Sequence, residues 1–268
     1  MTNLTPNRRP YTSLTARTAV IVAGMLSVKA AHAGTATQPS NRPTNLQLGA
    51  SVVYSDKGYR NYDGNTNVYP AIFYENHRFY VRGNQLGVNL IQDRQQNLAL
   101  NAQYAGDSYD ASEASGAFKG LDDRDASVMV GASYQRNIQY VAVRGQVVTD
   151  VSGNSDGTTA RLSVGTRLPR NDWTLYPSAG LQWQDKKYND YYYGITAAEA
   201  ARTGIAQYSP SSSVHPFISV AANYQLNPKV MLFVNPSIAY NVDDIHDSPK
   251  IDSRLAWGTT LGATYKLR

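Results

Sequence analysis

Side chains that can do acid–base or metal chemistry are sparse in this 268-residue chain. The clearest group surrounds His246, whose acidic neighbours are Asp243, Asp244 and Asp247. Imidazole nitrogens and carboxylate oxygens bind divalent metals, and the same groups transfer protons in enzymes. Such a run is more often a solvated loop, and the sequence has no cysteine and no phosphate-loop motif. We therefore expect neither an enzyme nor a cofactor or metal site.

A second set of candidate residues is charged and falls on the polar side of alternating polar and apolar positions. The set comprises Arg82, Arg144, Arg161, Arg167 and the acidic Glu75. If the polar side lines a lumen, the arginines favour the passage of anions. The alternative is that they pair with acids such as Glu75 and fill the interior. Phe73, Met231 and Phe233 fall on the same side, which favours a narrow or closed bore.

The elements that carry these residues are predicted to be β-strands, because polar and apolar side chains alternate with a period of two. In the last segment, Leu255, Trp257, Leu261 and Tyr265 alternate with small or polar residues. This segment is long enough to cross a bilayer, for which a tilted strand needs roughly 9–11 residues. Alternation and turn residues together predict twelve strands: 46–54, 66–75, 77–83, 86–92, 97–106, 124–136, 139–149, 158–168, 173–186, 215–226, 229–242 and 255–267.

The connections between these strands differ in length on the two sides of the predicted sheet. The long connections are 55–65, 107–123, 150–157, 187–214 and 243–254. All of these long connections fall on one side of the sheet, and the opposite side has tight turns. The exception is the Asn84-Gln85 joint, which is short but falls on the side of the long connections. Outer-membrane barrels have short periplasmic turns and longer extracellular loops. The sequence therefore predicts an all-β fold, an antiparallel transmembrane β-barrel over residues 46–268 with about twelve strands (ten being the alternative).

The amino terminus has the composition of a secretory signal peptide over residues 1–33. Three arginines and no acid precede a short apolar run, and an Ala-x-Ala cleavage site ends at Ala33. Cleavage there leaves residues 34–45 as a periplasmic tail. It also lowers the basic residues from 25 to 21 against 20 acidic residues, so the mature chain is nearly neutral. No basic stripe remains, and we expect no nucleic-acid partner.

The longest predicted loop, 187–214, has local signals of its own. Thr196 followed by Glu199 is a capping box, and Gly204 is a suitable C-terminal stop, so we expect a two-turn helix there. A run of tyrosines precedes this helix: Tyr188, Tyr191, Tyr192 and Tyr193. These rings either form an extracellular contact surface for a ligand or partner, or cover the barrel rim and pack the loop.

Several segments in order resemble the MipA/OmpV family of outer-membrane proteins, from about Leu46 to Tyr265. The most specific is the stretch from Tyr192 to Gly204, followed by Tyr208. The supporting pieces are Leu48-Gly49-Ala50, Phe79-Tyr80-Val81-Arg82-Gly83, Leu86-Gly87-Val88-Asn89-Leu90, Asp150-Val151-Ser152-Gly153 and Ser248-Pro249. This chain departs from the family in ending on Leu267-Arg268, where members commonly have an aromatic residue.

The resemblance implies a cell outer-membrane protein without catalytic activity. One branch of the family binds a periplasmic lytic transglycosylase and links it to a bifunctional penicillin-binding protein, so a structural or scaffolding role in murein growth is the first expectation. A narrow small-solute or antibiotic-related channel, or a surface adhesin, is the alternative. The expected partners are outer-membrane lipid, the transglycosylase and the penicillin-binding protein, and the expected state is a monomer.

Overall fold

The computed structural model of the protein describes residues 45–105 and 107–267. The predicted signal peptide, 1–33, and all of the predicted tail except Asn45 lie outside the described residues.

The described chain forms one antiparallel sheet whose strands follow one another in sequence order around a closed barrel. The sheet closes because β14 pairs with β1, for example Ala263 opposite Ala50. Its strands are β1 (Asn45–Asp56), β2 (Asn65–Glu75), β3 (Phe79–Arg82), β4 (Gln85–Gln92), β5 (Gln96–Ala105), β6 (Ser127–Ile138), β7 (Val141–Asp150), β8 (Thr158–Thr166), β9 (Leu168–Arg170), β10 (Trp173–Gln184), β11 (Ser213–Gln225), β12 (Val230–Val234), β13 (Ser237–Tyr240) and β14 (Leu255–Lys266).

These strands make twelve crossings, because two crossings are interrupted. Strands β8 and β9 pair with β10 in one continuous register, and β12 and β13 do the same with β14. The second interruption lies at Asn235-Pro236, where proline has no N–H to donate to the ladder. The prediction of a twelve-strand antiparallel barrel is confirmed.

Some predicted strand bounds were wrong for local reasons. Strand β10 ends at Gln184 rather than at 186, because Asp185 caps a helix that follows at once. Strand β6 begins at Ser127 rather than at 124, because Arg124 pairs with Tyr109 in a bridge within the preceding loop.

The two faces of the barrel wall have opposite chemistry. Large apolar side chains remain exposed on the outer face, as lipid contact requires. Examples are Leu48, Val52, Leu100, Val147, Leu162, Leu181, Ile218 and Leu261. Aromatic pairs lie near both rims, with ring centroids 4.8 Å apart for Tyr54 and Trp257 and 4.9 Å apart for Trp173 and Tyr224. The inner face is rich in small and polar residues such as Ser51, Asn101 and Ser163.

The helices lie in the long connections on one side of the barrel. They are α1 (Lys186–Tyr193), α2 (Ala197–Thr203) and α3 (Asp243–His246), with short 3-10 helices at Ala111–Glu113 and Gly116–Gly120. Within the described ranges, none of the helices is long and apolar enough to cross a membrane. Tight turns occupy the other side, as predicted, and the long connections fold together over the barrel end.

Candidate functional site

Loop residues build a hydrophobic core of their own over one end of the barrel, which we call the loop cluster. Its largest buried members are Tyr59, Tyr109, Phe118, Tyr188, Tyr192, Tyr193, Ile195, Ile245 and Ile251. They come from four separate connections along the chain, those that follow β1, β5, β10 and β13. The long loops therefore pack against one another.

Helix α1 places three of the predicted tyrosines in this core. The carboxylate of Asp185 accepts a hydrogen bond from the backbone N–H of Tyr188 and so caps the helix. The spacing of four residues then brings the ring of Tyr188 against that of Tyr192, with centroids 4.6 Å apart and the ring planes tilted by 51°. The sequence pattern predicts only α2, whose capping box at Thr196 and Glu199 and left-handed Gly204 (φ 74°) are confirmed. Helix α1 was not predicted.

Asp107 forms a second group of polar contacts beneath the tyrosines. Its carboxylate forms a 2.7 Å ion pair with Lys57 and accepts hydrogen bonds from the hydroxyls of Tyr188 and Tyr193. Burial raises the pKa of Asp107, but the ammonium of Lys57 and the hydrogen bond from Tyr193 together outweigh burial and hold this pKa below its ordinary value. Burial raises the pKa of both tyrosines well above 10.0, so each hydroxyl keeps its proton and donates.

A buried ion pair joins loop 107–126 to α2. Arg124 donates from Nη2 to Oε1 of Glu199 at 2.8 Å and from Nε to the carbonyl of Tyr191 at 2.6 Å. Burial raises the pKa of Glu199, but hydrogen bonds from the backbone N–H groups of Asp122 and Thr196, together with Arg124, lower it to about 2. Glu199 is therefore an ionised structural group at neutral pH.

Lys250 lies fully buried in the loop cluster. Its Nζ donates to the carbonyl of Tyr192 at 3.0 Å and lies 4.0 Å from the ring centroid of Tyr109. Burial, and then the like charge of Arg124, hold the pKa of Lys250 well below 10.5. A lysine in a loop is usually exposed, so only its position beside the family segment Ser248-Pro249 could have drawn attention to it.

A cavity of about 210 Å³ lies inside the barrel beneath the loop cluster. Tyr188, Tyr193 and Asp107 line its loop side, and strand residues line the rest. Amide side chains form a chain along the wall, in which Gln85 and Gln146 both donate to Oε1 of Gln103, at 3.0 Å and 3.1 Å. The amides that line this part of the cavity are therefore held in fixed orientations.

All of the predicted lumen charges lie on the inner side of the wall, but they differ in their contacts. Arg82 forms a 3.2 Å ion pair with Glu75 and lies 4.3 Å from the ring centroid of Tyr80. Arg144 and Arg161 line the cavity. Arg167 lies at the break between β8 and β9, and its Nε is buried without a hydrogen bond to a described residue.

Aromatic side chains narrow another part of the lumen. The rings of Phe73 and Phe233 meet edge to face on the inner side of the wall, with centroids 5.9 Å apart. The two residues lie on β2 and β12, which are separated by β1 and β14. The contact supports the expected narrow bore.

The predicted contact tyrosines are largely withdrawn from solvent. Tyr188, Tyr192 and Tyr193 are 4%, 0% and 4% exposed, and only Tyr191 is half-buried. Three of the four tyrosines are therefore covered in this conformation and do not offer a surface to an external partner. Their hydroxyls and rings instead hold the loops together, which is the packing alternative that the sequence left open.

The acidic run around His246 forms α3 and the turn after it. Asp243 pairs with Arg254 at 2.7 Å, and His246 lies 3.9 Å from a carboxylate oxygen of Asp247. The described part of the chain contains no group of three side chains arranged to hold a metal ion.

Ser213 and His215 form a hydrogen bond that the sequence analysis did not anticipate. The ring Nδ1 lies 3.1 Å from the carbonyl of Tyr240 and therefore carries the proton, so Nε2 accepts from the hydroxyl of Ser213 at 2.7 Å. Ser213 also accepts from Nδ2 of Asn189 at 2.8 Å. Its hydroxyl is buried against α1 and is not among the groups that line the cavity, so this pair fastens α1 to β11.

The sequence of this chain is similar to those of known outer-membrane proteins. The family model described as MltA-interacting protein MipA matches residues 48–267. Over 222 residues the chain is 32% identical to outer membrane protein YiaT and 30% identical to MltA-interacting protein, both of Escherichia coli strain K12, covering 82% of this chain and 90% of each relative. A solved structure of the porin NanC has a TM-score of 0.40 and 10% identity, covering 84% of this chain and all of the porin. The chain belongs to the MipA family of outer-membrane β-barrel proteins.

Proposed function

We propose that this protein is a non-enzymatic scaffold of the outer membrane, which docks a periplasmic lytic transglycosylase and, through it, a bifunctional penicillin-binding protein. The observation that carries the proposal is the relative named MltA-interacting protein, which is 30% identical over 82% of this chain. The barrel acts in this proposal as a monomeric membrane anchor that presents its periplasmic end.

The interior of the barrel supports a scaffold better than a general pore. The loop cluster covers one end of the lumen, and the rings of Phe73 and Phe233 are in contact inside the barrel. Twelve strands also lie between the filled eight-strand barrel and the open sixteen-strand porin. A scaffold needs no open bore, and filling the interior stabilises the wall.

The turn side of the barrel has a basic rim that suits an acidic partner surface. Its exposed cations are Arg78, Arg94, Arg136, Arg170, Lys229 and Lys266, against the exposed acids Asp93 and Asp172. Complementary charge steers association and fixes the orientation of two partners. The docking surface of the transglycosylase is then an acidic patch.

A pull-down with purified components tests this proposal. The detergent-solubilised protein should capture an MltA-type lytic transglycosylase, and the penicillin-binding protein should be retained only when the transglycosylase is present. The double variant R78E/K229E should bind at least about tenfold more weakly, because two attractions become repulsions. Lys187→Glu, an exposed charge on α1 at the opposite end, is the matched control and should bind normally. Absence of capture by the wild type contradicts the proposal.

A narrow channel is the second candidate, and the cationic cavity lining is the observation that favours it. Arg82, Arg144 and Arg161 all face the cavity, as expected for a path that selects anions. Conductance in planar bilayers with a reversal potential set by the anion would favour this function over the scaffold.

A further inference from the structure

The charges around the cavity do not balance. Lys57 is paired with Asp107 at 2.7 Å, and Arg82 is paired with Glu75 at 3.2 Å. Arg144 and Arg161 also line the cavity, and neither forms an ion pair with a carboxylate in the described part of the chain. Two positive charges are therefore left without counter-charges inside a low-dielectric wall.

Residues outside the described ranges cannot supply the missing carboxylates from their side chains. Residues 1–44, Gly106 and Arg268 include no aspartate and no glutamate. Every acidic side chain of the protein is therefore among those whose positions are given.

The two arginines also keep hydrogen-bonding capacity in reserve. Arg144 has no hydrogen bond to any residue of 45–105 or 107–267, and it faces the like charge of Arg82. Arg161 makes one 3.3 Å hydrogen bond from Nη1 to Gln182, and its Nε is buried without a partner among the described residues. Because Gln146 stands opposite Arg161 and Arg144 opposite Ser163 in the ladder, the two guanidinium groups rise from diagonal positions on the same wall.

The surroundings hold both groups in place for a ligand. The guanidinium carbon of Arg161 lies 3.6 Å from the ring centroid of Phe217, which fixes the plane of its donors. Gln146 donates to both Asn101 and Gln103, so the amides beside the arginines are also oriented. Arginine presents a planar fork of donors that matches the oxygens of a carboxylate or phosphate.

We propose that the cavity is a binding site for a small oxyanion, a carboxylate or phosphate group, held between Arg144 and Arg161. The amides of Gln146 and Gln182 contact the polar body that carries the anionic group. The ligand is small, because the cavity holds about 210 Å³. This site is independent of the scaffold role, since it concerns the inside of the barrel and docking concerns the basic rim.

Isothermal titration of the detergent-solubilised full protein tests the site with two probes, inorganic phosphate and gluconate. Binding of gluconate alone identifies a carboxylate ligand, and binding of phosphate alone identifies a phosphate ligand. We expect Arg144→Gln and Arg161→Gln each to weaken binding at least about tenfold, as for the loss of one charge-assisted hydrogen bond. Lys187→Gln, which removes an exposed positive charge on α1 outside both the cavity and the basic rim, is the matched control and should bind as the wild type does.

Thermal unfolding without added anion gives a second, independent result. Because Arg144 faces like charge without a counter-charge, Arg144→Gln should unfold at a higher temperature than the wild type, and phosphate or gluconate should stabilise only the wild type. The proposal is wrong if neither probe binds the wild type, or if both arginine variants bind as tightly as it does. A lower unfolding temperature for Arg144→Gln in anion-free buffer would show that Arg144 stabilises the folded barrel and would also overturn the proposal.

Discussion

Arg124 and Glu199 form a 2.8 Å ion pair that is buried in the loop cluster and joins loop 107–126 to α2. The two side chains are 7% and 1% exposed, so neither charge has water as an alternative partner. Removing one member of such a pair leaves the other charge buried and uncompensated. The pair is therefore a point at which the packing of the loops can be tested.

Glu199→Gln should open the loop cluster while leaving the barrel folded. Breaking a buried ion pair costs about 3–5 kcal/mol, so amide hydrogen exchange in α2 and at Arg124 should become much faster. Asp122→Asn is the matched control, because its 2.7 Å pair with Arg202 is exposed and contributes little. Unchanged exchange in α2 of Glu199→Gln would contradict the structural role of this pair.

Acid should loosen the same contact. The pKa of Glu199 is about 2 in the folded protein against an ordinary 4.5, so the carboxylate contributes stability that is fully present above pH 4.5. That contribution is lost as the pH falls from 4.5 towards 2. Limited proteolysis with an acid-active protease should therefore cut the loops of the wild type increasingly over this window. The increase should be smaller for Glu199→Gln, in which only Asp107, whose pKa is also lowered, still responds to acid. Equal pH dependence of the two proteins would refute the assignment.

Asp107→Ala should release the tyrosines that cover the cavity. The substitution removes the carboxylate that accepts from Tyr188 and Tyr193, and it leaves the ammonium of Lys57 without its partner. We expect the free energy of opening α1 to fall by about 3 kcal/mol, measured by hydrogen exchange across 186–193. Asp63→Ala, at an exposed loop position, is the control. Equal protection in the two variants would show that the tyrosines do not depend on Asp107.

Two glycines on neighbouring strands provide a test of the barrel wall. A Cβ added at Gly131 in β6 would lie 1.9 Å from the backbone carbonyl oxygen of Val147, whereas a Cβ at Gly145 in β7 would have no heavy atom within 4 Å. Gly131→Ala should therefore reduce the fraction that migrates as folded barrel on an unheated gel, and Gly145→Ala should not. The opposite order would mean that the strand pairing is different.

The sequence predicts the barrel well and the loop cluster poorly, for a physical reason. Strands such as β14 carry their own signal, because Leu255, Trp257 and Leu261 must face lipid at every second position. The Lys57–Asp107 pair and the burial of Lys250 depend instead on loops distant in the chain coming together, and no local period encodes them. The helix α2 was predictable because its capping box lies within four residues.

The candidate site divides in the same way. Alternation alone predicts that Arg144 and Arg161 face inward, since the side of a strand is a local property. The local sequence does not determine which arginine forms an ion pair with an acid, because Glu75 reaches Arg82 through the pairing of β2 with β3. The lack of an ion pair for Arg144 and Arg161 among the described residues follows only from the closed barrel structure.

The conductance of the wild-type protein in planar bilayers tests the central claim, a barrel closed by its own loops and aromatic side chains, most directly. Protein that runs as a folded barrel on an unheated gel should be inserted at a known number of copies. The structure predicts no sustained open-pore conductance from these insertions, because the loop cluster covers the lumen and Phe73 meets Phe233 within it. Stable ohmic steps of porin size from every insertion would contradict a closed barrel and would favour a channel over a scaffold.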